Sequence, residues 1–407
     1  MMLRVLVTAS TFPVQDGDGL PRFVFDLAAV LAEHCRVIAL APDAPGARVR
    51  EQMGRVEVRR FTYFIPRHLQ QLAYGDGVRE NIRRSWLARF QIPSFLVAEC
   101  LAIRRVLYSE TCDLLNSHWL IPQGLCGAFA LGTRRRIPHI VHVHAGDVYL
   151  LAKMRTGRAI ARFVLNRTDH VFAAGSHVRE TLNALVGWDS GAEILSMGVK
   201  TSVFGGCASE PAPVDGEYLV AVGRMVEKKG FAYLLRAMPA VLRRYPSLRL
   251  VIIGSGPEES RLRQECRELG IERSVLMPGR IAHECVVRYL RGARLAVVPS
   301  IVDRNGETEG MPTVVVEAMA AGLPVVGSAV DGIPDVIEEG VNGWLSREKD
   351  AEDLASTILK MLASPVAMSE AARRTAVEHD WSAVGRRYMS TFREVMKTWR
   401  EEVECTI

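Results

Sequence analysis

Short apolar runs alternate with stretches of helical periodicity over nearly the whole chain. In the first half, Leu3–Thr8, Cys35–Leu40, Arg55–Phe61, Leu114–Ser117, His139–Val143 and His170–Ala174 read as strands. The stretches from about Arg22 to Glu33, Val97–Leu107, Gly157–Asn166 and His177–Leu185 read as helices. Residues 66–94 hold Gly75, Gly77, Pro93 and several arginines, which predicts an insertion of loop and short helices. Between Met197 and Glu217 the text turns to Gly, Ser, Pro and Ala, the mark of a linker. A second series follows. Tyr218–Val222 and Leu248–Ile253 are strands flanking a helix at Phe231–Tyr245. Glu258–Leu269, Val275–Met277, His283–Leu290 and Leu295–Val298 continue the alternation, and Asp350–Ser364 and Trp381–Val403 are helical. Such alternation predicts an α/β fold of two parallel-sheet units with helices on both faces, and a ligand cleft at the C-terminal ends of the strands.

Composition narrows the class. The chain has 407 residues, too long for one ordinary core, with 48% hydrophobic and 24% charged residues, as in globular proteins. Its eight cysteines are scattered without C-x2-C spacing, so neither a zinc site nor a disulfide framework is indicated, and a reducing cytoplasm fits. The opening MMLRVLVTAS has too short an apolar core for a signal peptide and reads as a first strand. No apolar run approaches the ~20 residues of a membrane span. Charge is uneven: residues 1–200 carry +8 and the remainder −3. Arginines cluster at Arg83–Arg84, Arg104–Arg105 and Arg134–Arg136. They are either ordinary solvated surface or a face for anionic lipid or an anionic acceptor. Aromatic residues do not interleave with them as a nucleic-acid platform requires, which argues against nucleic acid.

The candidate chemistry centres on Glu309–Gly310–Met311–Pro312–Thr313 and Glu317. Eight positions bring two carboxylates to nearly one side of a helix or its entrance. Pro312 suits a first helical turn. A strand, a glycine loop and a helix N-terminus together favour a phosphate, and carboxylates at either end suit hydroxyls. A nucleotide-sugar has that shape. The bland alternative is two solvated glutamates. Gly223–Arg224 ends a strand and Lys228–Lys229–Gly230 opens a helix, so Arg224 and Lys229 can converge on a diphosphate. Alternatively they are two surface cations. Gly254–Ser255–Gly256 lacks a third glycine in phase, which argues against a dehydrogenase. Asp16–Gly17–Asp18 is a literal D-x-D in a glycine loop straight after the first strand. His118, beside Trp119, is either a packed core residue or a ligand contact. His142 alternates with Val141 and Val143 and is expected to face inward.

Several of these stretches closely resemble retaining GT-B glycosyltransferases of family 4. Val298–Leu345 resembles the donor-binding segment, YLVAVGRMVEKKGF the GR…KG element, and LVIIGSGPEESRL the nucleotide-side sheet element. Pro278–Gly279–Arg280–Ile281 resembles the loop that holds the base. DLLNSHWLIPQGL and HVHAGDVY resemble the active-site histidine region and the H-x-G-D element, the latter with Ala145 before Gly146. Ser176–His177 and Met197–Gly198–Val199 through Phe204 resemble the close of the first domain. The resemblance runs from about residue 3 to 345.

The resemblance implies two Rossmann-like domains facing across a cleft. The expected boundaries are 1–198 for the acceptor domain, 199–216 for a linker and 217–380 for the donor domain, with a final helix at 381–407 returning to the first domain. It implies retaining transfer of a sugar from a nucleoside diphosphate sugar to a hydroxyl. Glu309, Arg224, Lys229 and His118 are the expected catalytic residues. Gly19, Gly223, Gly254, Arg280, Ile281, Gly310, Met311, Pro312, Thr313 and Glu317 are expected on the donor, and Asp147 and His144 on sugar or acceptor. No metal or other cofactor is expected. The expected partners are a nucleotide-sugar and a glycan or lipid-linked acceptor, with peripheral contact to anionic membrane from the cytoplasm. A phosphorylase is disfavoured because no pyridoxal-binding lysine is evident. A sugar-nucleotide epimerase and a non-catalytic carbohydrate- or lipid-binding protein are the competing readings.

Overall fold

The computed structural model describes residues 2–14, 22–75, 77–132, 137–205, 213–304, 306, 308–363 and 368–404. The chain forms two compact units. One holds Met1–Ala174, Val178–Ser196 and Val384–Ile407, and the other Gly175–His177 and Met197–Ala383.

The first unit is built on β1 Arg4–Thr8, β2 Arg36–Pro42, β3 Arg50–Met53, β4 Val56–Phe61, β5 Leu114–His118, β6 His139–Val143, β7 His170–Ala173 and β8 Glu193–Ile194. Their order is β3-β4-β2-β1-β5-β6-β7-β8. All neighbours are parallel except β3 and β4. That antiparallel edge went unread in the sequence because Arg-Glu-Gln-Met offers no apolar alternation. β5 and β6 are buried at every position, as expected of strands covered on both faces. Leu6, Ile38 and Leu115 pack with Phe95 and Ile103 of the helix Ile92–Ser109. Val141, Val143 and Val171 pack with Val148, Val164 and Val178 from three further helices.

The second unit is built on β9 Tyr218–Val222, β10 Arg249–Ile253, β11 Val275–Gly279, β12 Leu295–Val298, β13 Val325–Ser328 and β14 Gly343–Ser346, in the order β11-β10-β9-β12-β13-β14. Every pair is parallel. Side-chain alternation splits each strand between two cores. Val220, Val251, Ala296 and Val325 face the helix Thr313–Ala320, while Leu219, Leu250, Val297 and Val326 face Phe231–Arg244 and Ala351–Ala363.

Some elements differ from expectation. Pro93 does not break the chain but sits in the first turn of Ile92–Ser109, where its missing N–H costs nothing. The stretch expected as linker begins as structure. Thr201–Gly205 is helical, Val199 bridges Asp380, and the Thr201 hydroxyl donates to the Asp380 carboxylate at 2.5 Å. Ala145–Lys153, Leu125–Leu131 and Ser369–Glu378 are helices that the sequence pattern did not announce. Among the described residues, no helix is long and apolar enough to cross a membrane.

Candidate active site

In the second unit, the loops after β9, β10 and β11 are laced together by backbone. Gly223 N donates to Ile253 O at 2.9 Å, and Gly254 N to Gly279 O at 2.9 Å. The approach requires glycine: a Cβ on Gly254, whose φ is +138°, would lie 1.9 Å from Gly223 O. Gly230 caps the helix Phe231–Arg244 at φ +65°, and a Cβ there would meet Pro299 O at 1.8 Å. Arg224 stands exposed at the end of β9.

Lys228 and Lys229 lie in a single 3-10 turn, Glu227–Lys229, just before that helix. Both ammonium groups reach Glu309. Lys228 Nζ is 3.0 Å from Oε1 and Lys229 Nζ is 3.0 Å from Oε2. Lys228 also donates to the Thr308 carbonyl at 3.4 Å. The Glu309 side chain is 17% exposed. Burial alone would raise its pKa, but the charges of Lys229 and Lys228 outweigh it and hold the carboxyl at about 2. Glu309 is therefore a fixed anion at neutral pH.

The helix that follows begins only at Thr313, with Pro312 as its extended N-cap at ψ 118°. Of the two places the sequence left open for Glu309, helix or helix entrance, it takes the entrance loop, and Glu317 lies in the helix. The Gly310 carbonyl accepts from Gly332 N at 2.8 Å, which pins the loop. Glu317 is the half-buried exception in a run where Val314, Val315, Val316, Ala318, Met319 and Ala320 are all buried.

The first unit holds a second polar cluster. His118 at the end of β5, His142 in β6 and His144 just beyond it form a compact triangle of near-parallel rings. Ring centroids of His142 and His144 are 4.6 Å apart with planes 3° apart, and His118 lies 5.6 Å from each. His118 Nδ1 and His144 Nε2 are 3.3 Å apart, so one must carry the proton and the other accept it. His142 Nδ1 contacts the Tyr388 hydroxyl from the C-terminal helix Trp381–Glu404. Burial drives all three imidazoles toward the neutral form: His118 and His142 well below the ordinary value, His144 to about 3. His144 alone is partly exposed, flanked by Trp119 at 5.1 Å and Phe23 at 5.4 Å.

The three imidazoles have ring nitrogens within 4.8 Å of one another, the group among the described residues that could hold a metal. His142 meets Tyr388 through Nδ1, and His118 meets His144 through the ring nitrogens already described.

A family model described as Glycosyltransferase Family 4 matches residues 17–203. One described as Glycosyl transferases group 1 matches residues 208–378. The chain belongs to glycosyltransferase family 4. This family 4 chain is 36% identical over 143 residues to the amylovoran biosynthesis glycosyltransferase AmsK of Erwinia amylovora, a match covering 35% of each. It thus spans about a third of that relative's length. Its fold is GT-B. It superposes on sucrose-phosphate synthase of Thermosynechococcus elongatus with TM-score 0.75 and 21% identity, over 97% of this chain and 100% of that one. HepE of Anabaena, solved in complex with UDP, gives 0.71 and 17% over 97% and 100%.

Within this family 4 chain, Gly223, Arg224, Lys229, Gly254, Glu309–Thr313 and Glu317 all fall in the second unit. Arg280 is exposed and Ile281 half-buried, directly after β11. Gly19, with Asp16 and Asp18, lies outside the described residues. His118 is fully buried, so the open side of its cluster is His144. Asp147, expected on sugar or acceptor, is buried as the N3 residue of a capping box, accepting from His144 N at 2.9 Å and from Leu120 N. Burial lifts its pKa to about 7 despite those donors. Two residues were missed. Lys228 shares Glu309 with Lys229, and its signal was simple adjacency in the K-K-G run. Tyr388 holds His142 across 246 residues, which no local pattern could announce.

Proposed function

We propose that the chain transfers a hexosyl-type sugar from a nucleoside diphosphate sugar to a hydroxyl acceptor with retention, in bacterial envelope polysaccharide, exopolysaccharide or glycolipid synthesis. The observation that carries this reading is the Lys228–Glu309–Lys229 cluster beside the entrance of the helix Thr313–Ala320. Arg224 and Lys229 would hold the diphosphate and stabilise the charge that builds on it as the glycosidic bond breaks. The leaving phosphate oxygen would take the acceptor proton on the same face, giving retention. Glu309, ionised throughout, would face the positive anomeric centre and the sugar hydroxyls, and it would serve neither as acid nor as base. Amides around Gly310–Thr313 would seat sugar and phosphate at the helix N-terminus. Glu317 would bind the ribose hydroxyls, and the loop at Arg280–Ile281 the base. His118 is assigned to the sugar and His144 to sugar or acceptor. The chain's own cations meet the leaving charge, so the scheme routes no step through a metal.

AmsK, named for amylovoran biosynthesis, supports a polysaccharide role, and HepE with UDP supports a nucleotide donor. The acceptor is read as a glycan or lipid-linked sugar at the cytoplasmic face of a membrane. The test is thermal stabilisation by UDP, GDP, ADP and their sugars, with Glu317→Ala beside the parent. Stabilisation by one nucleotide, lost in the variant, supports the assignment. A parent that responds to none of them overturns it.

A further inference from the structure

The outer face of the helix Ile92–Ser109 is apolar where a surface helix should be polar. Val97 is 60% exposed, Leu101 59% and Tyr108 78%. Leu101 and Tyr108 lie only about 40° and 20° around the axis from Val97, so the three form one stripe. Arg104 and Arg105 stand exposed in the turn between Leu101 and Tyr108. The preceding helix, Trp86–Phe90, exposes Trp86 at 77% and Phe90 at 68%. Scattered surface apolar residues are ordinary, but five large ones on two consecutive helices are a patch.

Charge decides what covers it. Between Asn81 and Ser109 the chain has five arginines and one acid, Glu99. Glu99 is fully buried, and its carboxylate accepts from Gln123 at 3.0 Å. Glu80, just before these helices, pairs with Arg84 at 2.7 Å, but Trp86–Phe90 and Ile92–Ser109 themselves carry no acid besides Glu99, so they set aromatic and aliphatic side chains among arginines. A second copy of this chain, docking by two-fold symmetry, would set arginine against arginine. An acidic lipid surface supplies the opposite charge and an apolar layer beneath it. Aromatic residues settle at that boundary, while arginine keeps its guanidinium among phosphates and lays its stem in the apolar layer.

We propose that this face of Trp86–Phe90 and Ile92–Ser109 docks the enzyme on an anionic bilayer. The inference rests on the proposed reading of a membrane-borne acceptor and names the surface that meets it. The helix of 18 residues would lie along the headgroups with Val97, Leu101 and Tyr108 inserted.

The test is co-sedimentation of the full chain with vesicles of phosphatidylcholine alone and of phosphatidylcholine with roughly one-third phosphatidylglycerol. The parent should bind the anionic vesicles, weakly or not at all the neutral ones, and less as salt rises. L101S/Y108S should weaken that binding about tenfold or more, and R105E several-fold. Because all these side chains are solvent-facing, the variants should melt as the parent does. Thermal stabilisation by nucleotide, read on the same preparations, reports on the donor site separately. Vesicle binding equal in parent and variants, or absent in a parent that still responds to nucleotide, overturns the surface alone. A concentration-dependent dimer abolished by L101S/Y108S would also overturn it, in favour of a second copy. Vesicle binding without nucleotide response overturns the donor reading and leaves the surface standing.

Discussion

Lys229 Nζ lies 3.0 Å from Glu309 Oε2, across 80 residues of sequence. The proposed phosphate-binding cation and the proposed sugar-facing anion are therefore one ion pair, completed by Lys228. The two ammonium groups hold the Glu309 carboxyl ionised before any substrate arrives. An arriving diphosphate would compete with Glu309 for the same ammonium groups, which couples donor binding to the freeing of the carboxylate.

Glu309→Gln removes the anion with little change of shape. Catalytic turnover is expected to fall by roughly 100-fold or more, since the lost charge acts where the transition state is positive. The check is kcat measured against KM for the nucleotide-sugar found by thermal shift, with kcat carrying most of the loss.

The same residue predicts an acid dependence of stability. Glu309 titrates at about 2 when folded, below its ordinary 4.5. A depressed carboxylate stabilises the fold above the unfolded pKa, and the contribution is lost as pH falls from about 4.5 to about 2. The full effect is on the order of 2–3 kcal/mol. Urea unfolding between pH 5 and pH 3 should lose stability more steeply in the parent than in Glu309→Gln. Equal slopes would remove the ion pair as the cause.

The histidine cluster predicts a second pH effect at milder acidity. His144 titrates at about 3 when folded against an ordinary 6.5, because burial disfavours its charged form. Its unfolded form gains a proton first, so stability is complete above about 6.5 and erodes as pH drops toward 3. Thermal melts at pH 7.5 and 5.5 should differ for the parent. His144→Gln should narrow that difference.

Tyr388→Phe tests the tie between the C-terminal helix and the first unit's sheet. It leaves buried His142 without its hydroxyl partner, at a cost of about 1–3 kcal/mol. Denaturant melts should show that loss with secondary structure unchanged by circular dichroism. An unchanged midpoint would mean that a water replaces the hydroxyl.

Gly254→Ala tests the laced loops. The new Cβ would fall 1.9 Å from Gly223 O at a φ of +138°. The loop after β9 must then move, taking Arg224 with it. Nucleotide stabilisation should disappear, with a stability loss of roughly 2–4 kcal/mol. Retained nucleotide binding would place the donor elsewhere.

Much of this was legible in the chain. Apolar runs such as Leu295–Val298 and Leu248–Ile253 announced buried parallel strands, because a strand covered on both faces must be apolar throughout. Gly254 stood out in a G-x-G after a strand, but the partners of the close backbone approaches at Gly230 and Gly254 came only with the structure. Arg224, the lysine run and Glu309 stood out because charges beside strand ends and helix starts suit a phosphate. Other features were hidden. The edge strand Arg50–Met53 is polar, and Ala145–Lys153 was read as a polar cluster rather than a helix.

The sequence by itself determined the alternating α/β architecture, the split into two units and the residue types gathered at the strand ends and helix starts of the second unit. Those follow from local periodicity and from short-range turn chemistry. Only the tertiary structure decided which charges pair. It set Lys228 and Lys229 on Glu309, Asp147 on the Leu120 amide, and Tyr388 on His142. Such pairings join residues tens to hundreds of positions apart. Their energies depend on distance and burial in the folded chain, and no local pattern encodes either.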